Sequence, residues 1–110
     1  MILNGMKKQC LNWSGKMTSR EFAGKMNRAS KTILRPLIPA LGLHKKAETV
    51  LYQRYVEEKC IYDISEGLGV SYDTLSNYLC VARAEMLKTI ERDFDILPEN
   101  IQILIKKLVD

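Results

Sequence analysis

The sequence predicts an all-α fold: a small helical bundle containing a helix-turn-helix, with a second one in tandem left open. Three observations carry this. Apolar residues recur at helical spacing in Leu75, Leu79, Ala82 and Met86, and again in Ile101, Leu104, Ile105 and Leu108. Helix-opening residues precede both runs, Ser71 the first and Pro98 the second. Between Asp63 and Leu79 the chain reads as a short amphipathic helix, a tight turn and a second helix. No segment reads as a strand. With 110 residues the chain can hold one ordinary domain, or two very small ones sharing a core.

In chain order, Met6 to Trp13 reads as a short, weak first helix. Thr18-Ser19-Arg20-Glu21 fits a capping box, so a helix should run to about Met26. Ser30 or Ala29 opens a further segment through Leu34. Pro36 and Pro39 are expected to prevent a long regular helix there, since proline lacks the backbone N–H and crowds the preceding turn. Leu41-Gly42-Leu43 is the expected joint between two halves. Ala47 to about Lys59 reads as a helix with Ala47, Val50, Leu51 and Tyr55 on one face. Next comes the helix-turn-helix unit. Ile64 and Leu68 share a face of its first helix. Gly69 can end that helix in a left-handed conformation. Val70 plugs the angle, and Ser71 caps the second helix, which is expected to continue to about Arg92. Asp93 to Leu97 is an expected loop. The final helix must bury its apolar stripe against the body or a partner. These elements group as residues 1–40, a basic helical region with a candidate degenerate helix-turn-helix; 41–92, the helix-turn-helix unit; and 93–110, a helix for packing or dimerisation.

A faint internal repeat supports the tandem alternative. Phe22 to Ile33 can be laid over Ile64 to Leu75 at an offset of 42. Phe22 then matches Ile64, Met26 matches Leu68, Asn27 matches Gly69, and Ile33 matches Leu75. Asparagine tolerates the left-handed turn position. Against the repeat, Arg28 stands where the apolar plug belongs, and Pro36 should cut the second helix short.

Charge is unevenly spread. Up to Glu48 there are ten Lys and Arg against two Glu, a balance of +8; from Thr49 onward seven bases face eleven acids, a balance of −4. The net +4 therefore hides a basic first half, to which a polyanion should be drawn. Arg28, Ser30, Lys31 and Arg35 surround the first candidate turn, with Ser30 and Lys31 near a helix N-terminus suited to phosphate. An ordinary solvated basic face is the alternative. On the second unit, Ser71, Tyr72, Asp73, Ser76 and Asn77 form the outward face.

Other chemistry finds little support. Cys10, Cys60 and Cys80 are odd in number and include no Cys-x-x-Cys pair, so neither a disulfide framework nor a cysteine zinc site is expected. Cys60 and Cys80 are expected to serve as small core residues. A reducing cytoplasm is the expected compartment. No apolar run approaches the ~20 residues of a membrane span, and Asn4 and Gly5 interrupt any signal peptide at once. His44 is an expected loop histidine beside Lys45-Lys46. No catalytic triad, carboxylate pair, metal set or cofactor motif stands out, so no enzymatic activity, metal or cofactor is expected.

From Leu41 to Ile90 the chain resembles region 4 of bacterial sigma-70-type factors, the domain that reads a promoter element. The carrying residues are Val50-Leu51, Arg54-Tyr55-Val56-Glu57, Asp63-Ile64, Leu68-Gly69-Val70-Ser71, Thr74-Leu75, Leu79, Ala82-Arg83 and Met86-Leu87. The resemblance implies a recognition helix from Ser71, with Tyr72, Asp73, Ser76 and Asn77 in the major groove and Arg83 near a phosphate. Recognition helices of this kind usually carry several Lys or Arg at those outward positions; Tyr72, Asp73 and Ser76 depart from that pattern. No segment for melting DNA is visible, so a stand-alone regulator of phage or mobile-element type is expected rather than a complete sigma factor. The expected partner is double-stranded DNA, with RNA polymerase and a homodimer left open. Two rivals are a protein-interaction module that binds RNA polymerase or a sigma factor, and the DNA-recognition subunit of a phage packaging machine.

Overall fold

Residues 17–110 are described by the computed structural model; the expected first helix from Met6 to Trp13 lies outside them, as does Cys10. Among the described residues there are six α-helices and no strand: α1 (Ser19–Arg28), α2 (Lys31–Ala40), α3 (Lys45–Tyr55), α4 (Ile61–Leu68), α5 (Tyr72–Asp93) and α6 (Glu99–Val109). A single 3-10 turn, Phe94–Ile96, stands where a loop was expected, and it buries Phe94.

The first helix opens as its sequence requires. The Glu21 N–H donates to the Thr18 hydroxyl at 3.1 Å, and the Thr18 N–H donates to the Glu21 carboxylate at 2.9 Å. Two backbone donors that a helix start leaves unpaired are thereby satisfied. Phe22 and Met26, one turn apart, are buried.

The second helix overturns an expectation. It runs from Lys31 to Ala40 straight through Pro36 and Pro39. Both prolines are exposed, and so are Thr32 and Arg35, whose carbonyls lose their helical donors. Water can serve those carbonyls on the outer face, while Leu34, Leu37 and Ile38 are fully buried on the inner one. Packing of the apolar face outweighs the two missing bonds.

The supposed repeat also changes form. Asn27 lies inside α1, and Ala29, the residue after that helix, is extended at φ −75°. The first turn therefore has no left-handed residue. It is one residue shorter than the second, with Ser30 capping α2 as Ser71 caps α5. Across the turn the offset slips from 42 to 41, so Leu34 and Ile38 stand where Leu75 and Leu79 stand, all four buried. Ala29, not Arg28, occupies the half-buried plug position.

Helix α3 ends at Tyr55, short of the expected Lys59. The Glu57 and Lys59 N–H groups turn back to the Tyr52 and Gln53 carbonyls, and Glu58 adopts φ 59°. His44 is more than a loop residue. Its Nδ1 accepts from the Lys46 N–H at 3.3 Å, capping α3, and its own N–H donates to the Glu85 carboxylate of α5 at 2.9 Å.

The α4–α5 unit closes as read. Gly69 is left-handed at φ 70°, ψ 31°. The Val70 N–H donates to the Ser65 carbonyl at 3.0 Å and the Gly69 N–H to Glu66 at 3.2 Å, the paired closure that a left-handed residue permits. Leu75, Leu79, Ala82 and Met86 are all buried. Leu68 departs from its partner: Ile64 is buried, but Leu68, the last residue of α4, is 40 % exposed. Cys60 and Cys80 are exposed rather than core residues.

Helix α5 spans 22 residues, roughly 33 Å at the helical rise, and is the spine of the molecule. α3, α4 and α1 all pack on it; α2 packs on α3; α6 packs back on α1 and α2. Ile101, Ile105 and Leu108 are buried in this chain's own core, and Leu104 is partly buried.

Candidate nucleic-acid interface

The first two turns of α5 present a bare outer face. Tyr72, Asp73, Ser76 and Asn77 are all exposed, Tyr72 at 54 %. Ser71 is exposed too, but its hydroxyl is engaged: it accepts from the Thr74 N–H at 3.1 Å and donates to the Thr74 hydroxyl at 2.9 Å. Asp73 lies in the first turn of α5, where a carboxylate is favoured by the helix dipole. The face is polar and aromatic but carries no cation. From Cys60 to Ala82 there is no Lys, Arg or His, against three exposed acids, Asp63, Glu66 and Asp73.

Arg83, expected near a phosphate, is engaged within the protein. It is half-buried, and its guanidinium donates to the Tyr55 hydroxyl at 3.1 Å and lies 3.8 Å from the Cys80 sulfur. The side chain ties α5 to α3. A neighbouring contact does the same, with the Lys46 ammonium 4.6 Å from the centre of the Tyr78 ring.

The first-half residues gather around the α1–α2 turn. The Ser30 hydroxyl accepts from the Thr32 N–H at 3.1 Å and so holds the start of α2. Lys31 pairs with Glu58 at 3.6 Å, both side chains well exposed, an arrangement worth little in stability. Arg28 and Arg35 are exposed and make no ion pair among the described residues. Sequence reasoning missed Lys25 and Lys107. Together with Arg28 and Ser30 they line one cleft of about 310 Å³ between this turn and the end of α6. Lys25 carries no distinctive local signal, and Lys107 lies in the acidic half of the sequence. Only the return of α6 onto α1 brings them together.

Among the described residues no group of three or more His, Cys, Asp or Glu could hold a metal ion, and no helix is long and apolar enough to cross a membrane. Arg92 and Asp93 form an ion pair. Two 2.8 Å hydrogen bonds from the guanidinium hold the Asp93 carboxyl below its ordinary range and raise Arg92 in turn. That pair ends α5 and lies outside both candidate surfaces. No protein-family model, curated protein or solved structure matches the chain, so the likeness to sigma region 4 stands on the residues of this sequence alone.

Proposed function

We propose that the protein binds duplex DNA in the cytoplasm as a stand-alone transcription regulator, using a sigma region 4-like helix-turn-helix and no enzymatic activity. The observation that carries this is the α4–α5 unit. A left-handed glycine closes α4, a serine caps α5, and the outer face of the first two turns of α5 is left exposed. A helix exposed along its outer face can enter the major groove. There Asn77 has the donor and acceptor to pair with an adenine edge, and Asp73 can accept from a cytosine amine. Phosphate neutralisation then falls to the basic half, with Arg28, Lys31 and Arg35.

A second reading, a module that binds RNA polymerase or a sigma factor, is favoured by the cation-free stretch from Cys60 to Ala82. A basic protein surface would suit those acids better than phosphates do. The discriminating experiment is a salt titration of binding to a labelled random duplex, run with the double variant Lys31→Ala, Arg35→Ala. The DNA reading expects steep salt dependence, with the slope of log K against log salt reduced by about two in the variant. No binding at low salt, with polymerase retained on the immobilised protein, supports the second reading and sinks the first.

A further inference from the structure

We infer that the cleft between the α1–α2 turn and the end of α6 is a phosphate-contact site for a nucleic-acid backbone, worked by Lys25, Arg28 and Lys107. The inference rests on the duplex-binding reading and locates its electrostatic grip. Three cations from two elements converge on this one concavity. None of the three makes an ion pair among the described residues, whereas Lys31, Lys59 and Arg92 each have an acidic partner. The single carboxylate side chain on the rim is Asp110. Ile33 and Leu108 form apolar parts of the wall. Low-dielectric walls beside like charges focus their field outward, which raises the local concentration of an anion.

DNA binding needs cations that the α4–α5 unit does not supply. The outer face of the first two turns of α5 carries no cation, and Arg83, the first one after them, is hydrogen-bonded to Tyr55. Non-specific affinity for a duplex comes chiefly from neutralised phosphates. A backbone with regularly spaced anions can meet three separate cations at once, and a basic protein surface would be repelled by them.

The test uses the full chain and a fluorescein-labelled random duplex, with anisotropy read over a range of salt. Lys25→Gln with Lys107→Gln is expected to reduce the slope of log K against log salt by about two. Removing the same charge elsewhere, by Lys45→Gln with Lys88→Gln, is expected to leave the slope unchanged. Asp110→Asn, which removes the opposing charge from the rim, is expected to tighten low-salt binding by about threefold. Thermal melting followed by circular dichroism checks the fold, and Arg28→Gln provides an independent variant at the same cleft. If wild type binds but both lysine pairs flatten the slope equally, or the cleft pair leaves it unchanged, the cleft inference is overturned while the duplex reading stands. If wild type shows no binding at low salt, both fall.

Discussion

Gly67 and Gly69 sit two residues apart and are expected to answer alanine with opposite signs. Gly69 adopts φ 70°, and a Cβ added there would meet nothing within 4 Å. The cost of Gly69→Ala is thus conformational alone, about 1 kcal/mol of stability, because a left-handed backbone disfavours any side chain. Gly67 is helical and exposed, and an added Cβ there also meets open space. Gly67→Ala should stabilise the fold by about 0.5–1 kcal/mol through helix propensity. Urea unfolding of the two variants measures both, and a loss of stability in Gly67→Ala would mean that α4 does not extend to this turn. The turn was legible from the sequence because Gly69 and Ser71 act on backbone within a few residues of themselves. The exposure of Cys60 and Cys80 was not, since whether a small residue is covered depends on what packs over it. Arg83 shows the same limit: Tyr55, the hydroxyl that receives it, lies 28 residues earlier.

At the scale of elements, α2 is where local rules and packing disagree. Pro36 stands inside the helix, on its exposed face, and removes one backbone donor. Pro36→Ala should therefore raise stability by on the order of 1 kcal/mol: the restored N–H and relieved ring contact exceed the unfolded-state restriction that proline supplies. Denaturant unfolding gives the magnitude, and a neutral or negative result would mean that the helix tolerates the ring without strain. The two prolines are visible in the sequence, whereas the burial of Leu37 and Ile38 beyond the first of them, which carries the helix on, is set by what packs over them. The capping box of α1 and the long stripe of α5 were legible for the opposite reason: cap, period and burial all agree there. The early stop of α3 left no such agreement. It depends on Glu58 at φ 59°, beside Lys31 of α2, and nothing in the composition of residues 56–60 announces it.

At the scale of the whole molecule, the two halves of the sequence are not two halves in space. One core runs from Phe22 to Leu108. Helix α6 belongs to the acidic half by sequence, yet it packs on α1 and α2 and carries Lys107 into the basic cleft. Its stripe also bears on assembly, because Ile101, Ile105 and Leu108 face this chain's own core. A homodimer built on that stripe would first have to detach α6. Two substitutions test whether the helix is integral. Ile105 is fully buried and Ile103 is 41 % exposed on the same helix. Ile105→Ala should cost about 2–5 kcal/mol through lost burial and the cavity left behind, while Ile103→Ala should stay within about 0.5 kcal/mol. Because α6 shares its core with α1 and α2, the loss should move one cooperative transition, seen alike by circular dichroism and by hydrogen exchange in α1. If Ile105→Ala instead releases α6 early and leaves the main transition in place, the helix is an appendage, its stripe is free for a partner, and the cleft that needs Lys107 loses one wall.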